Sequence, residues 1–204
     1  MHTNTDTSKS AIVAQILNDH GIKAEVVGNS GIALARIHEL VPAGAKVMTN
    51  ASTTLKEIGL EAELGSGGSP WNWLKPAIGA ENDPAKRSLL RGQASLAEYY
   101  VGSVQAVTEM GQVICASGSG SQLASYVYSS PNVIWVVGNQ KVVPTLEDGI
   151  RRIRDVCVPK MAELTKSKGK PELGVLAKIL IIENEMAYTG RSVHLLLVEE
   201  ALGF

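Results

Sequence analysis

A five-residue run with no polar side chain, Val133-Ile134-Trp135-Val136-Val137, constrains the fold more than any other part of the chain. A strand with one face in water alternates apolar and polar residues. An unbroken run rich in β-branched residues therefore belongs in a strand covered on both faces, as in a parallel sheet between other layers. Lys46 to Asn50 and Val113 to Ala116 are similar short runs with apolar centres, and the sequence predicts all three as buried strands of one mainly parallel sheet. Apolar residues make up 45% of the 204 positions and aromatic residues 4%. The core is then aliphatic and large enough for a single domain over residues 1–204.

Each run ends in a polar loop. After the first come Ser52, Thr53 and Thr54, at the start of an expected helix. After the second come Gly118, Ser119, Gly120 and Ser121, and after the third Gly138-Asn139-Gln140-Lys141. Helix N-termini and glycine-rich nests present free N–H groups to anions, and a lysine adds a fixed charge. In open α/β sheets ligands bind beyond the carboxyl ends of the strands, so the three loops predict one shared cleft for a small anionic ligand. Lys141 is expected on a solvated loop, where its removal would leave stability nearly unchanged. Thr54 and Glu57 also have capping-box spacing, which would satisfy the same N–H groups without a ligand. Leu123 stands where a dinucleotide fingerprint needs its third Gly or Ala, and no Gly-Lys-Ser/Thr triplet forms a P-loop.

Formal net charge is −1, and no block of Lys or Arg exceeds two residues, which argues against nucleic-acid or acidic-membrane partners. The cysteines, Cys115 and Cys157, and the histidines, His2, His20, His38 and His194, are dispersed, so neither a metal site nor a cofactor is expected. Met1 to Ser10 is polar, and no run approaches the roughly 20 apolar residues that span a bilayer. A cytoplasmic location is expected. Glu98 and Glu109, flanking an expected strand at Tyr99 to Val107, are the carboxylates considered for acid or base work, although surface positions suit acidic residues better.

Helices are expected at Lys9 to His20, capped by Thr7 or Ser8, and after a Ser30 cap. Further helices are expected at Pro84 to Leu96 and at Thr145 to Val156, the last running until Pro159. Met161 to Leu173 reads as an exposed linker or a frayed helix. Gly65 to Asp83, with Trp71 and Trp73, reads as a loop whose indoles cover either the cleft, a partner or the sheet edge. Lys178 to Glu183 and Ser192 to Val198 read as strands added antiparallel to the sheet.

Three segments carry a resemblance: Val47 to Gly59, Tyr99 to Gly111 and Val136 to Val143. Together they resemble the LUD domain, the family of lactate utilisation protein C and its relatives. The resemblance implies an α/β three-layer Rossmann-like sandwich, the fold of ribose-5-phosphate isomerase, glucosamine-6-phosphate deaminase and the CoA transferases. It also implies a ligand-binding subunit or regulator in lactate or related organic-acid utilisation, working with iron–sulfur oxidoreductase partners. Homo-oligomerisation is left open. The alternative is an enzyme acting on a phosphorylated or CoA-linked small molecule. Many LUD-type proteins carry a cysteine-rich stretch near the C-terminus, and here Gly174 to Lys178 and its surroundings contain none, which argues against a resident cluster. The Ser117 to Ser121 loop lacks the glutamate that CoA transferases use.

Overall fold

The computed structural model describes residues 8–170 and 174–204; the polar stretch up to Thr7, with its candidate cap, and Pro171 to Leu173 lie outside the described residues. Ser8 opens α1 (Lys9–Asp19) by accepting the Ala11 N–H. Gly21 follows the helix at φ +79°, where a Cβ would stand 2.1 Å from the Glu185 carbonyl oxygen. After β1 (Lys23–Val27), α2 (Ser30–Leu40) is capped by Asn29, one residue before the expected Ser30. The chain then forms β2 (Lys46–Thr49), α3 (Thr53–Glu57), α4 (Leu60–Ser66) and β3 (Asn72–Trp73). Next come α5 (Lys75–Ala80), α6 (Pro84–Ala94), β4 (Tyr99–Gly102), β5 (Ala106–Thr108) and β6 (Val113–Ser117). A π turn at Ser125–Ser129 leads to β7 (Asn132–Gly138), a 3-10 turn at Asn139–Lys141 and β8 (Val142–Val143). The remainder is α7 (Leu146–Arg152), α8 (Val158–Ser167), β9 (Lys178–Ile182) and β10 (Ser192–Val198).

Six strands form a parallel sheet in the order β1-β10-β7-β4-β2-β3, and four form a second sheet in the order β8-β5-β6-β9. The first sheet is buried on both faces because its central strands alternate between two cores. Ile134, Val136, Leu196 and Val198 pack with Ala33, Ile37, Leu55 and Leu60 on one side. Val133, Trp135, Val137, Leu195 and Leu197 pack with Val13, Leu17 and the inward residues of the second sheet on the other. The outer face of the second sheet, at Ala106 and Ile114, meets Ile153 and Val158 of the last helical stretch. The result is a mainly parallel α/β sandwich of the three-layer Rossmann-like class, with a small sheet added over one face.

Three expectations need correction. Val113 to Ala116 is a buried strand, but it pairs antiparallel with β5 and β9 in the second sheet. Burial between two layers erases the polar alternation in either kind of sheet, so the run could not reveal its partners. The two C-terminal strands also separate: β9 joins the second sheet, whereas β10 lies parallel between β1 and β7. Finally, the helix does not stop at Pro159. A π turn at Ile153–Cys157 precedes α8 and leaves Pro159 in the first turn of that helix, where its missing N–H breaks no ladder.

The tryptophan segment covers the sheet edge. Trp71 stacks on His38 with ring centroids 4.8 Å apart and donates its indole N–H to the Val41 carbonyl at 3.1 Å. Trp73 donates to the Thr49 hydroxyl from β3, the edge strand. Among the described residues no helix is long and apolar enough to cross a membrane.

Candidate functional site

The neighbouring strands β4 and β7 both leave the parallel sheet at their carboxyl ends and continue into the second sheet, as β5 and β8. These crossings bring Ser103, just past β4, against Lys141, just before β8. Lys141 is only 1% exposed. Its Nζ donates to Thr54 Oγ1 at 2.9 Å and to Ser103 Oγ at 3.0 Å, and the Ser103 hydroxyl donates to Thr54 Oγ1 at 3.2 Å. None of the ion pairs among the described residues involves Lys141.

This overturns the expectation of a solvated loop lysine, because the 3-10 turn directs the side chain inward against Thr54, Ser103 and Gly203. Burial strips water from the ammonium and lowers its pKa to about 7; nearby Arg152 pushes the same way, and Cys157 and Glu57 oppose. At neutral pH the group is therefore divided between ammonium and free amine.

The start of α3 is arranged around this lysine. Ser52 is the cap, accepting the Leu55 N–H at 3.3 Å, which leaves the Thr54 hydroxyl free to face Lys141. Thr53 is half-buried beside it. Glu57 does not reach back to complete a capping box with Thr54; its carboxylate accepts the Gly203 N–H. The segment after β10 thus becomes a strap over the site. Gln140 exchanges hydrogen bonds with Leu202, accepting its N–H and donating to its carbonyl, and Thr54 donates to the same carbonyl at 3.4 Å. A glycine is required at 203, since its φ is +66° and a Cβ would lie 2.3 Å from Thr54 Oγ1 and 3.2 Å from Lys141 Nζ.

Below the hydroxyls, Tyr126 donates to the Ser103 carbonyl at 3.1 Å. Gly102 lets that phenol in, because a Cβ there would stand 1.9 Å from the Tyr126 hydroxyl and 2.8 Å from Asn50 Oδ1. Asn50 Oδ1 is buried with no hydrogen-bond partner. Ser103, Asn50, Tyr126 and the Leu202-Gly203 strap are not among the site residues that the sequence predicts. The Gly102-Ser103 pair, interrupting an apolar run, was a usable signal for the first. Nothing in the sequence marks the strap.

The loop Gly118, Ser119, Gly120 and Ser121 lies at the end of β6, not of a strand in the parallel sheet. Its polar groups are largely bound among themselves: Gly120 N–H to Ser117 Oγ, and Ser119 to Ser121. Among the described residues no hydrogen bond joins this loop to Thr54, Ser103 or Lys141. Glu98 accepts the Lys46 N–H at the opposite, N-terminal end of β2, and Glu109 pairs with Lys9; neither contacts the lysine.

No group of three or more His, Cys, Asp or Glu side chains among the described residues could hold a metal ion, and Cys115 and Cys157 are free and buried. Anaerobic addition of iron and sulfide to the purified protein is expected to leave its visible absorbance unchanged. A stable cluster held by the monomer would refute this.

A solved structure, that of a DUF162 family protein from Deinococcus radiodurans, superposes with a TM-score of 0.53 over 94% of this chain and 97% of that one, at 11% identity. Such identity establishes the fold and nothing further. The structure of eIF2B beta from Chaetomium thermophilum aligns at 14% identity with a TM-score of 0.40, over 58% of this chain and 44% of that one, too loosely to support a conclusion. No curated protein matches in sequence. The LUD domain model, however, matches residues 11–173, most of the chain and both crossings that build the lysine site, so the chain belongs to the LUD domain family.

Proposed function

We propose that this LUD-domain protein binds a small anion at Lys141, as a ligand-binding subunit or regulator in lactate or related organic-acid utilisation alongside iron–sulfur partner proteins. The observation that carries the reading is a buried lysine held by two hydroxyls and no carboxylate. An isolated buried ammonium is costly, and an anion would supply the missing countercharge. Thr53 and Thr54 lie at the same place, and Ser52 caps the helix beside them. The ligand would take the position now held by Leu202 and Gly203. What supports the partner half of the reading is family membership.

Calorimetry with lactate, pyruvate, inorganic phosphate and acyl-CoA tests the site. A hydrogen bond to a charged group contributes about 1.5–3 kcal/mol, so Lys141→Met should weaken binding roughly ten- to a hundredfold. Methionine is preferred to alanine because it nearly fills the buried volume. Wild-type affinity in that variant would move the site elsewhere.

A further inference from the structure

We propose that Lys141 is a nucleophilic amine that condenses with the carbonyl carbon of a small anionic aldehyde or ketone to form an imine. The proposal rests on the anion-site reading above and names the chemistry of its ligand. A neutral amine has two N–H donors and one lone pair. Here both donors have acceptors, Thr54 Oγ1 and Ser103 Oγ, so the lone pair is left unused. The strap side of the amine meets Gly203, a residue with no side chain, through which the lysine can be uncovered by breaking contacts made chiefly with Gln140, Glu57 and Thr54.

Lysine is the side chain that burial most readily turns into a nucleophile, because losing water disfavours its charged form. The groups acting on it are Arg152, which favours the free amine, and Cys157 and Glu57, which favour the ammonium. In the reaction, the nitrogen lone pair forms the bond to carbon and the carbonyl π pair moves to oxygen. The carbinolamine then loses that oxygen as water, which carries away both amine protons. A C=N bond replaces the C=O bond with no change of oxidation state. Thr54 and Ser103 are positioning residues that hold the amine.

The test is reductive trapping of the full chain with glyoxylate and cyanoborohydride at pH 7.5, read by intact mass and peptide mapping. An ordinary lysine amine, with a reference pKa of about 10.4, is almost wholly protonated there, so Lys141 should be alkylated at least about tenfold faster than the surface lysines. Lys141→Met should lose the fast adduct, and Gln140→Ala, which loosens the strap, should accelerate it. If surface lysines react while Lys141 stays unmodified in both wild type and Gln140→Ala, the proposal is overturned. Calorimetry with phosphate, an anion lacking a carbonyl, separates the two readings. Phosphate binding that Lys141→Met weakens, without trapping, refutes the imine alone. Equally fast trapping of Lys141 by neutral propionaldehyde, without phosphate binding, supports the amine and removes the anion site.

Discussion

Between pH 7 and pH 9 the native protein should gain on the order of 2–3 kcal/mol of stability relative to its Lys141→Met variant. Lys141 has a folded pKa near 7, against about 10.4 for a lysine in an unfolded chain. Above pH 7 the unfolded chain therefore binds one more proton at this position than the folded one. The unfolding free energy then rises with pH, by up to about 1.4 kcal/mol per unit, until the unfolded pKa is reached. Below pH 7 both states are protonated, the cost of the buried ammonium is felt in full, and the slope disappears. Burial raises the pKa values of Cys115, Cys157, Tyr100 and Tyr126, which works in the opposite sense at high pH, so only the difference from the variant isolates the lysine. Urea titrations of both proteins across the window provide it. A difference that stays flat would mean that the lysine keeps its ordinary pKa in the folded state.

Trp135→Ala should reduce stability by about 3–5 kcal/mol, the range for deleting a large buried aromatic. Trp135 is 1% exposed in the central strand β7, and its ring meets Tyr126 edge-on with centroids 5.4 Å apart. Tyr126 in turn meets Tyr100 at 5.5 Å and carries the hydroxyl that holds the Ser103 carbonyl, so the cavity would open beneath the lysine site. Trp135→Phe is the informative companion. The indole N–H is buried with no partner, and an unsatisfied donor costs about 1–3 kcal/mol, so phenylalanine removes a penalty while it loses volume. The Phe variant should lie within about 1.5 kcal/mol of wild type. Chemical denaturation of the pair checks both; an alanine variant that costs less than about 1 kcal/mol would show that the surrounding layers collapse onto the gap.

The sequence made the layers visible and hid the partners. Val133 to Val137 reads as a doubly covered strand because it is one, and Ser8 and Gly21 mark helix ends by local chemistry that needs no tertiary context. Val113 to Ala116 shows the same apolar signature for a different reason, being pressed between the first sheet and α7. Tyr99 to Val107 reads as one strand, yet Ser103 to Gln105 divides it between two sheets, and only that division brings Ser103 to Lys141. The sequence places Lys141 and Thr54 at strand ends, and the structure brings these two side chains into hydrogen-bond contact. The sequence could not show that the lysine is buried, because burial there depends on β8 pairing with β5 and on a strap from 62 residues further along the chain.

The double crossing of β4 into β5 and β7 into β8 also divides the site by cooperativity. Ser103 and Lys141 sit on the stretches where these two strands change sheets, so displacing their backbones requires prying the sheets apart. The Leu202 and Gly203 N–H groups are instead caught by the side chains of Gln140 and Glu57, outside any strand ladder. Hydrogen exchange at those two amides is expected to follow local opening, and exchange at the crossings to need larger openings of the molecule. The protein thus has a floor fixed by two strand crossings under a separately releasable cover, and releasing that cover would expose Lys141 while its Thr54 and Ser103 partners stay in place.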